Sequence, residues 1–244
     1  MSSLAVAQAK YWQLKQVALF ADLGVAEVRR LGDHLDTELI EAGEPIYQFG
    51  DLADRVYALK TGRVKISRAS SDGKEFTLYF VSPGEIFGEL AVTGKELRAS
   101  GATAVEDAFV CSIERPQFER LIARHPGLAL ELTRVIGERK ERTERRLLDL
   151  ISKDVRARLA ATLFELARDF GVQERRGVRV DLPLTQSDLA QLVGSTRETT
   201  STVFNEFRRS GLVDSEGKTV WVLDTQGLGG YPLRSSSGRP NRAA

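Results

Sequence analysis

The chain has 244 residues, of which 42% are hydrophobic and 28% are charged, and its formal net charge is +1. These values are ordinary for a globular protein with one large or two modest domains, and they give no global signature of nucleic-acid binding. The single cysteine, Cys111, excludes an intramolecular disulfide and offers no cluster for an iron–sulfur or zinc site. No run of 18 apolar residues and no signal-peptide core occur, so we expect a cytoplasmic protein without a membrane partner.

The first half of the chain is predicted to be a helical segment followed by a β domain. Residues 1–35 carry apolar stripes at helical spacing. From Thr37 to Ile113 the apolar period changes to two, and glycine-containing turns such as Pro83-Gly84 separate the short apolar runs. Short strands at regular spacing indicate an all-β barrel or sandwich.

A long helix is predicted from Pro126 to about Ile151, after a shorter helix that begins at Pro116. Along the long helix, residues at spacings of 4, 3, 4, 3 and 4 form a seam: Leu132, Ile136, Arg139, Thr143, Arg146 and Leu150. A heptad seam with apolar ends favours a parallel dimer helix. The alternative is a helix that packs on its own domain.

Residues 185–213 are predicted to form two helices joined by a tight turn. The first helix covers about 187–193, and Gly194 supplies the left-handed position that ends it. Ser195 and Thr196 are the candidate N-caps of the second helix. An amphipathic helix precedes this pair, and a strand-turn-strand pattern follows it.

The second of these helices opens with residues suited to reading DNA: Arg197, Glu198, Thr200 and Ser201. A helix-turn-helix presents such residues to base edges in the major groove, where arginine binds guanine and glutamate accepts from cytosine. The alternative is a helical hairpin with a polar exposed face.

The β segment from Gly84 to Asp107 contains a candidate anion site. Backbone N–H groups after Gly88 can cradle an anion, and Arg98 can close on it with a charge-assisted hydrogen bond. Glu89 suits a sugar hydroxyl or orients the arginine. The alternative is a surface β-turn with a salt bridge.

Three features in order carry a resemblance to a known family: FGELAV with LRASGATAVED, the long helix, and LTQSDLAQLVGSTRETTS followed by GLV and KTVWV. From about Leu19 to Thr225 the chain resembles the cyclic-AMP receptor protein/FNR (Crp/Fnr) family of bacterial transcription regulators. The resemblance implies an α+β fold, with an N-terminal double-stranded β-helix (cyclic-nucleotide-binding jelly roll), a long dimerisation helix and a C-terminal winged helix-turn-helix. The implied segments are a sensor domain at 1–125, a dimerisation helix at 126–152 and a DNA-binding domain at 153–226. Residues 227–244 are rich in Gly, Ser, Arg and Pro, which predicts a flexible tail.

The resemblance also implies a ligand site in the sensor domain. Gly88, Glu89 and Arg98 match family residues that hold the ribose 2′-hydroxyl and the cyclic phosphate, and Leu90 lies in the same cassette. Ala99 stands where many cyclic-AMP-binding members have a serine.

A second part of the implied ligand site lies on the long helix. Thr143 matches a threonine that reaches the adenine, whereas Glu144 replaces a serine that the partner subunit supplies. These departures leave four alternatives for the effector: cyclic AMP, cyclic GMP, another nucleotide, or none.

For DNA, Arg197 and Glu198 match the family's base-reading pair, and Thr185 matches a phosphate contact ahead of the first helix. Thr202 replaces a second arginine, so we expect a variant half-site. The expected DNA contacts also include three other residues of the motif: Ser195, Thr200 and Ser201. The implied partners are double-stranded DNA, a second copy of the chain, RNA polymerase and a small effector.

Two other classes of protein compete with this interpretation. One is a cyclic-nucleotide module that regulates an enzyme or channel, which the helix-turn-helix disfavours. The other is an enzyme, but the sequence contains no nucleophile–base pair, metal-ligand spacing or P-loop, so we assign no catalytic residue and no metal site.

Overall fold

A computed structural model of the chain describes residues 17–230, except residues 22, 33, 72 and 95. The chain forms two compact units, Met1–Glu141 and Arg142–Ala244. The boundary between these units falls inside the long helix rather than at one of its ends. Residues 1–16 of the helical segment predicted at 1–35, and residues 231–244 of the tail predicted at 227–244, lie outside the described residues.

Eight strands of the first unit form a jelly roll of two four-stranded antiparallel sheets, as the β pattern predicted. The strands are β1 Asp36–Ile40, β2 Pro45–Tyr47, β3 Arg55–Thr61, β4 Val64–Ala69, β5 Glu75–Val81, β6 Ile86–Phe87, β7 Gly101–Ala104 and β8 Ala108–Glu114. One sheet has the order β1-β8-β3-β6, and the other has the order β2-β7-β4-β5.

The first unit has two hydrophobic cores, and the sheet β1-β8-β3-β6 contributes to both. One core draws residues from all eight strands, including Leu59 and Val110, and fills the space between the sheets. Because side chains alternate across a strand, neighbouring residues such as Val56 face the opposite side. There they meet helical residues, among them Phe118 and Leu128, in the second core.

Three α-helices cover the second core: α1 Val25–Gly32, α2 Arg115–Arg124 and the first half of α3, Pro126–Ser152. A 3-10 helix at Ala18–Phe20 adds Leu19 and Phe20 to it. The fully buried Val28 anchors α1, and the fully buried Phe118 anchors α2. Cys111 is buried in the same core, where it packs as a small apolar side chain. Within the described residues, none of the helices has the length and apolar character that a bilayer crossing requires.

The first part of the predicted dimer seam faces the chain's own first unit, so that part of the prediction is wrong. Leu132 is buried in the second core, and Ile136 packs against it. Arg139 forms an ion pair with Glu89. The heptad spacing had two explanations, and here the intramolecular one holds because one face of α3 completes the core.

Beyond the end of α3, the described part of the second unit contains four helices and one sheet, which form a winged helix-turn-helix. The helices are α4 Val155–Phe170, α5 Gln186–Val193, α6 Arg197–Arg209 and α7 Thr225–Gly229. The strands β9 Gly171–Glu174, β10 Gly177–Val180, β11 Val213–Glu216 and β12 Thr219–Val222 pair antiparallel in the order β11-β12-β10-β9. Helix α4 contacts α5, α6 and α7 as well as strands of the sheet.

Two elements of this unit differ from the sequence predictions. Strand β9 was not predicted because its four residues are all exposed and show no apolar alternation. The segment assigned to a flexible tail from residue 227 starts as helix α7. Asp224 caps this helix through a hydrogen bond from the Gly227 N–H (2.8 Å), and its Leu228 is buried.

Candidate ligand cleft and DNA-reading helix

Gly88 forms the centre of the candidate ligand cleft because it turns the chain sharply after β6. Its φ is 68°, in the left-handed region, and it begins a 3-10 helix that covers Glu89–Thr93. A Cβ atom at Gly88 would lie 2.9 Å from Arg98 Nη1 and 3.0 Å from Tyr57 Cδ2. Glycine is therefore required both by the backbone angle and by the close approach of these two side chains.

The guanidinium of Arg98 is buried and held by backbone and aromatic groups. Nη1 donates to Gly88 O at 3.0 Å, and Nη2 donates to Arg55 O at 2.6 Å. Its Cζ lies 4.3 Å from the ring centre of Tyr47 and 5.4 Å from that of Tyr57. Such contacts stabilise the planar cation and fix its orientation. Neither tyrosine carries a local sequence signal that points to this site.

Arg98 keeps hydrogen-bonding capacity in this arrangement. Its Nε is buried and has no hydrogen-bond partner among the described residues, and none of their acidic side chains forms an ion pair with Arg98. The alternative interpretation was a surface β-turn with a salt bridge, but Arg98 and Glu89 are both buried and form no ion pair with each other. A buried cation without a counter-charge is costly, and an anion in the cleft would relieve that cost.

Burial also raises the pKa values of the tyrosines around this site. Desolvation raises the pKa of Tyr47 to about 12, and the positive charge of Arg98 opposes the shift. Desolvation likewise raises the pKa values of Tyr57 and Tyr79. These phenols therefore remain neutral at physiological pH and leave Arg98 as a cation without a phenolate partner.

Glu89 is buried and paired with a cation from helix α3. Its Oε2 lies 2.9 Å from Arg139 Nη1. Arg139 also donates from Nη2 to Ile86 O at 2.6 Å, and its Cζ lies 4.5 Å from the ring centre of Tyr79. The side chain predicted to receive a sugar hydroxyl thus already contacts a guanidinium, which no local sequence signal indicated.

The cleft has a volume of ≈ 370 Å³, which includes space open to solvent. Its lining brings together five residues of the predicted site with several others: Tyr47, Ala53, Tyr79, Gly88, Glu89, Leu90, Ala91, Leu97, Arg98, Ala99 and Ser100. Leu90 is exposed at its rim. Thr143 lies on α3 within the second unit, and its assignment to the ligand site stays a prediction.

A capping box starts the first helix of the helix-turn-helix. The Thr185 hydroxyl accepts from the Asp188 N–H at 3.1 Å and donates to Asp188 Oδ2 at 2.5 Å. The Thr185 N–H also donates to Asp188 Oδ2, at 2.9 Å. Both donors of Thr185 are therefore engaged inside the protein, so the expected phosphate contact requires that one of them be released or shared.

The turn that leads into α6 follows the expected pattern in part. Gly194 ends α5 with φ 62° and ψ 51°. Of the two candidate N-caps, Thr196 is the cap, with its hydroxyl 3.2 Å from the Thr199 N–H that donates to it. Ser195 lies half-buried in the turn.

Helix α6 exposes a polar face that begins with Arg197 and Glu198. Hydrogen bonds from its own backbone and from the Thr196 hydroxyl lower the pKa of Glu198, which keeps the carboxylate ionised as an acceptor. Thr202 is exposed, whereas Ser201 is half-buried and donates to Gln186 Oε1 at 3.2 Å. The same face includes Asn205, which the sequence analysis missed although it lies seven residues after Glu198 and three after Thr202.

The assignment of Thr200 as a DNA contact is wrong, because its side chain is fully buried. It lies four residues before Phe204 and seven before Phe207, which are both buried. That helical spacing places all three on the inner face of α6. The Thr200 hydroxyl has no hydrogen-bond partner among the described residues.

Substituting Thr200→Val is expected to stabilise the second unit. Valine has the same shape and removes a buried hydroxyl without a partner, which costs about 1–3 kcal/mol. We expect the free energy of unfolding to rise by about 1 kcal/mol with DNA affinity unchanged, as measured by denaturant titration and gel shift. Thr202→Val, at an exposed position of the same helix, is the control and should change stability by less than about 0.5 kcal/mol. Destabilisation by Thr200→Val would contradict the burial of an unsatisfied hydroxyl.

Two family models match this chain, one in each half. The model of the cyclic nucleotide-binding domain matches residues 37–125, and that of the Crp-like helix-turn-helix domain matches residues 157–231. Both matches coincide with the two sites described above.

Full-length relatives agree with these matches. The chain is 34% identical over 215 residues to the "CRP-like cAMP-activated global transcriptional regulator" of Mycobacterium tuberculosis, covering 88% of this chain and 96% of the relative. It is 33% identical over 202 residues to the "Global nitrogen regulator" of Synechocystis sp., and the match covers 81% of this chain and 90% of the relative.

Solved structures show the same fold. A Crp-family transcriptional regulator of Thermus thermophilus is 29% identical, with a TM-score of 0.66 over 78% of this chain and 94% of that one. A c-di-GMP responsive global regulator of Xanthomonas campestris has a TM-score of 0.73, and the match covers 82% of this chain and 100% of that one. Its sequence identity is 22%, so this similarity supports the fold alone. The chain belongs to the Crp/Fnr family of transcription regulators, in which a cyclic nucleotide-binding domain controls a DNA-binding helix-turn-helix.

Proposed function

We propose that the cleft beside Arg98 binds the phosphate of a cyclic nucleotide, with cyclic AMP as the first candidate. The observation that carries the proposal is the buried Arg98 guanidinium, which has an unused Nε donor and no acidic partner among the described residues. A phosphate provides oxygen acceptors and a negative charge that match a guanidinium fork. The name of the Mycobacterium tuberculosis relative, which describes activation by cAMP, supports cyclic AMP.

In this proposal Glu89 accepts a hydrogen bond from a ribose hydroxyl. A carboxylate has two oxygens with several acceptor sites, so Glu89 can serve Arg139 and a hydroxyl together. The same ion pair also favours a second candidate, a regulator that needs no cyclic nucleotide, because Arg139 already compensates the buried charge of Glu89. Ala99 and Glu144, which depart from the cyclic-AMP-binding pattern, support that second candidate.

We also propose that the chain acts as a homodimer. Four large apolar side chains near the end of α3 are exposed: Leu147, Leu148, Leu150 and Ile151. Leu147, Leu148 and Ile151 share one face of the helix, since they are spaced three and four residues apart. This face, rather than the predicted seam at Leu132 and Ile136, is the surface that a second copy would cover.

In such a dimer, two α6 helices would read DNA. Recognition helices about 34 Å apart fit successive major grooves of a near-palindromic site. Arg197 and Glu198 would contact base edges, and Thr202 would alter the half-site relative to members with an arginine there. RNA polymerase is the expected partner of the DNA-bound dimer, since regulators of this family act on transcription.

The test combines ligand binding with DNA binding. A DNA site is first selected from a random pool with the purified protein, and its affinity is then measured with and without cyclic AMP. Saturable calorimetric binding of cyclic AMP, with a tighter DNA complex, supports the first candidate. DNA binding that cyclic AMP does not change, together with no calorimetric signal, supports the ligand-independent regulator and overturns the first candidate.

Substituting Arg197→Ala is expected to weaken binding to the selected site by about 1–3 kcal/mol and to relax preference at one base pair. The physical reason is the loss of a bidentate contact to a base edge. Arg209→Ala removes the same charge at the opposite end of α6 and serves as the control, which should leave sequence preference intact. Competition binding against sites changed at single base pairs measures both effects. An unchanged base preference for Arg197→Ala would show that Arg197 contacts no base.

A further inference from the structure

Arg158, at the start of α4, bonds to the backbone at the ends of two other helices. Its Nη1 donates to Lys153 O at 2.8 Å, and its Nε donates to Val193 O at 2.8 Å. Its Nη2 donates to Gly194 O at 3.4 Å. One side chain thus joins the segment after α3 to the turn between α5 and α6.

The three acceptors are the carbonyls that helix geometry leaves without partners. The Lys153 N–H donates to Asp149 O at 3.0 Å, so Lys153 continues the last turn of α3. Val193 is the last residue of α5, and Gly194 is its C-cap. Carbonyls at helix C-termini lack intrahelical donors and carry partial negative charge, which a guanidinium neutralises.

The usual alternative, a salt bridge, does not explain Arg158. No acidic side chain among the described residues forms an ion pair with it, and the nearby Asp149 pairs with Lys153 at 2.9 Å. The planar fork of an arginine can hold several acceptors in fixed directions, which a lysine cannot do. The three hydrogen bonds of Arg158 therefore depend on the planar shape of its guanidinium as well as on its charge.

A second contact joins the same two places. A Cβ atom at Gly194 would lie 2.7 Å from Leu150 Cδ2, so the absence of a side chain lets the end of α3 approach the turn closely. Gly194 has a left-handed backbone, and Arg197 starts α6 three residues later. The position of this turn consequently determines where the first residues of α6 lie.

We propose that Arg158 is a positioning residue for DNA reading, which fixes the turn between α5 and α6 to the end of α3. A shift of the end of α3 is passed through Lys153 O, the Arg158 guanidinium and the carbonyls of Val193 and Gly194 to the base-reading end of α6. The proposal rests on the proposed function in one respect, namely that α6 reads DNA.

The test compares Arg158→Lys with the wild-type protein and with Arg168→Lys, a matched exchange at an exposed position of the same helix. Affinities are measured for the selected DNA site and for random-sequence DNA, each at two salt concentrations. Because Arg158→Lys keeps the charge, we expect random-sequence affinity within twofold of wild type and about tenfold weaker binding to the selected site. Hydrogen exchange at residues 194–197 should become faster, while the centre of α6 keeps its protection.

The outcomes separate this proposal from the proposed function. If the wild-type protein shows no preference for any DNA site, the proposed function fails before Arg158 is examined. If wild-type binding is specific and Arg158→Lys binds the selected site equally well, the positioning role is overturned. Equal losses for selected and random-sequence DNA, together with a lower melting temperature, would show a merely structural role and would also overturn it.

Discussion

Substituting Arg98→Gln is expected to lower the affinity for cyclic AMP by 100-fold or more. Hydrogen bonds to a charged group contribute about 1.5–3 kcal/mol each, and a phosphate in the cleft would receive two of them, which together correspond to a factor of roughly 10²–10⁴. Calorimetric titration with cyclic AMP measures the loss. Arg68→Gln, at an exposed position of strand β4, is the control and should leave the affinity unchanged.

The stability of the unliganded protein should change much less than its ligand affinity. Removing Arg98 leaves Gly88 O and Arg55 O without their donors, which costs about 1–3 kcal/mol for each buried group. Removing a buried cation that lacks a counter-charge offsets much of that cost. We therefore expect the free energy of unfolding to change by less than about 2 kcal/mol. A protein that binds cyclic AMP equally well without Arg98 would contradict the proposed phosphate site.

Substituting Gly88→Ala is expected to destabilise the first unit by about 2–5 kcal/mol. The left-handed backbone costs an alanine about 1–2 kcal/mol, and the new methyl group would overlap Arg98 Nη1 and the Tyr57 ring for about 1–3 kcal/mol more. The Arg98 side chain cannot easily move away, because two hydrogen bonds to backbone carbonyls and contacts with two aromatic rings hold it in place. Denaturant unfolding of the purified variant measures the effect.

Gly94→Ala provides a matched control for the backbone term alone. Gly94 also has a left-handed backbone, with φ 81°, but nothing lies within 4 Å of the position of its Cβ. We expect a loss of only about 1–2 kcal/mol there. If the two variants lost equal stability, the close contacts at Gly88 would have no energetic effect, and the tight packing around Arg98 would need another explanation.

The second unit shows which kinds of local information are sufficient for prediction. The left-handed Gly194 and the N-cap at Thr196 depend on neighbours a few residues away. The sequence predicted Gly194 and indicated Thr196 as one of two candidate caps. Thr200 was assigned to the wrong face, although its spacing to Phe204 and Phe207 carried the correct signal. The polar side chain of Thr200 suggested an exposed position, but its helical spacing to the two phenylalanines is the better guide to the buried face.

In the first unit, five residues of the candidate ligand cleft were predictable, but the residues that contact them were not. Gly88, Glu89 and Arg98 stand out because they lie close together in a short segment with a clear chemical use. Tyr47 and Arg139 come from elements far away in sequence, and only the fold brings them to the cleft. Propensities and spacing rules use only residues that are close together in the sequence, so they cannot predict such long-range contacts.

Helix α3 illustrates a different limit. Its apolar spacing is real, but periodicity identifies a buried face without identifying what covers it. Leu132 and Ile136 pack into the core of the first unit, whereas Leu148 and Ile151, near the end of the helix, remain exposed. Composition alone treats these four side chains as equivalent.

The two cores of the jelly roll also determine how the first unit unfolds. In strand β3, Leu59 lies in the core between the sheets and Val56 lies in the core beneath the helices. In strand β8, Val110 lies in the first of these cores and Ile113 in the second. Because both cores include residues of β3 and β8, the packing of one core cannot be lost while the other core still holds these strands. We therefore expect the sheets and their covering helices to unfold together as one cooperative unit. A ligand that stabilises the cleft would accordingly raise the melting temperature of the whole unit.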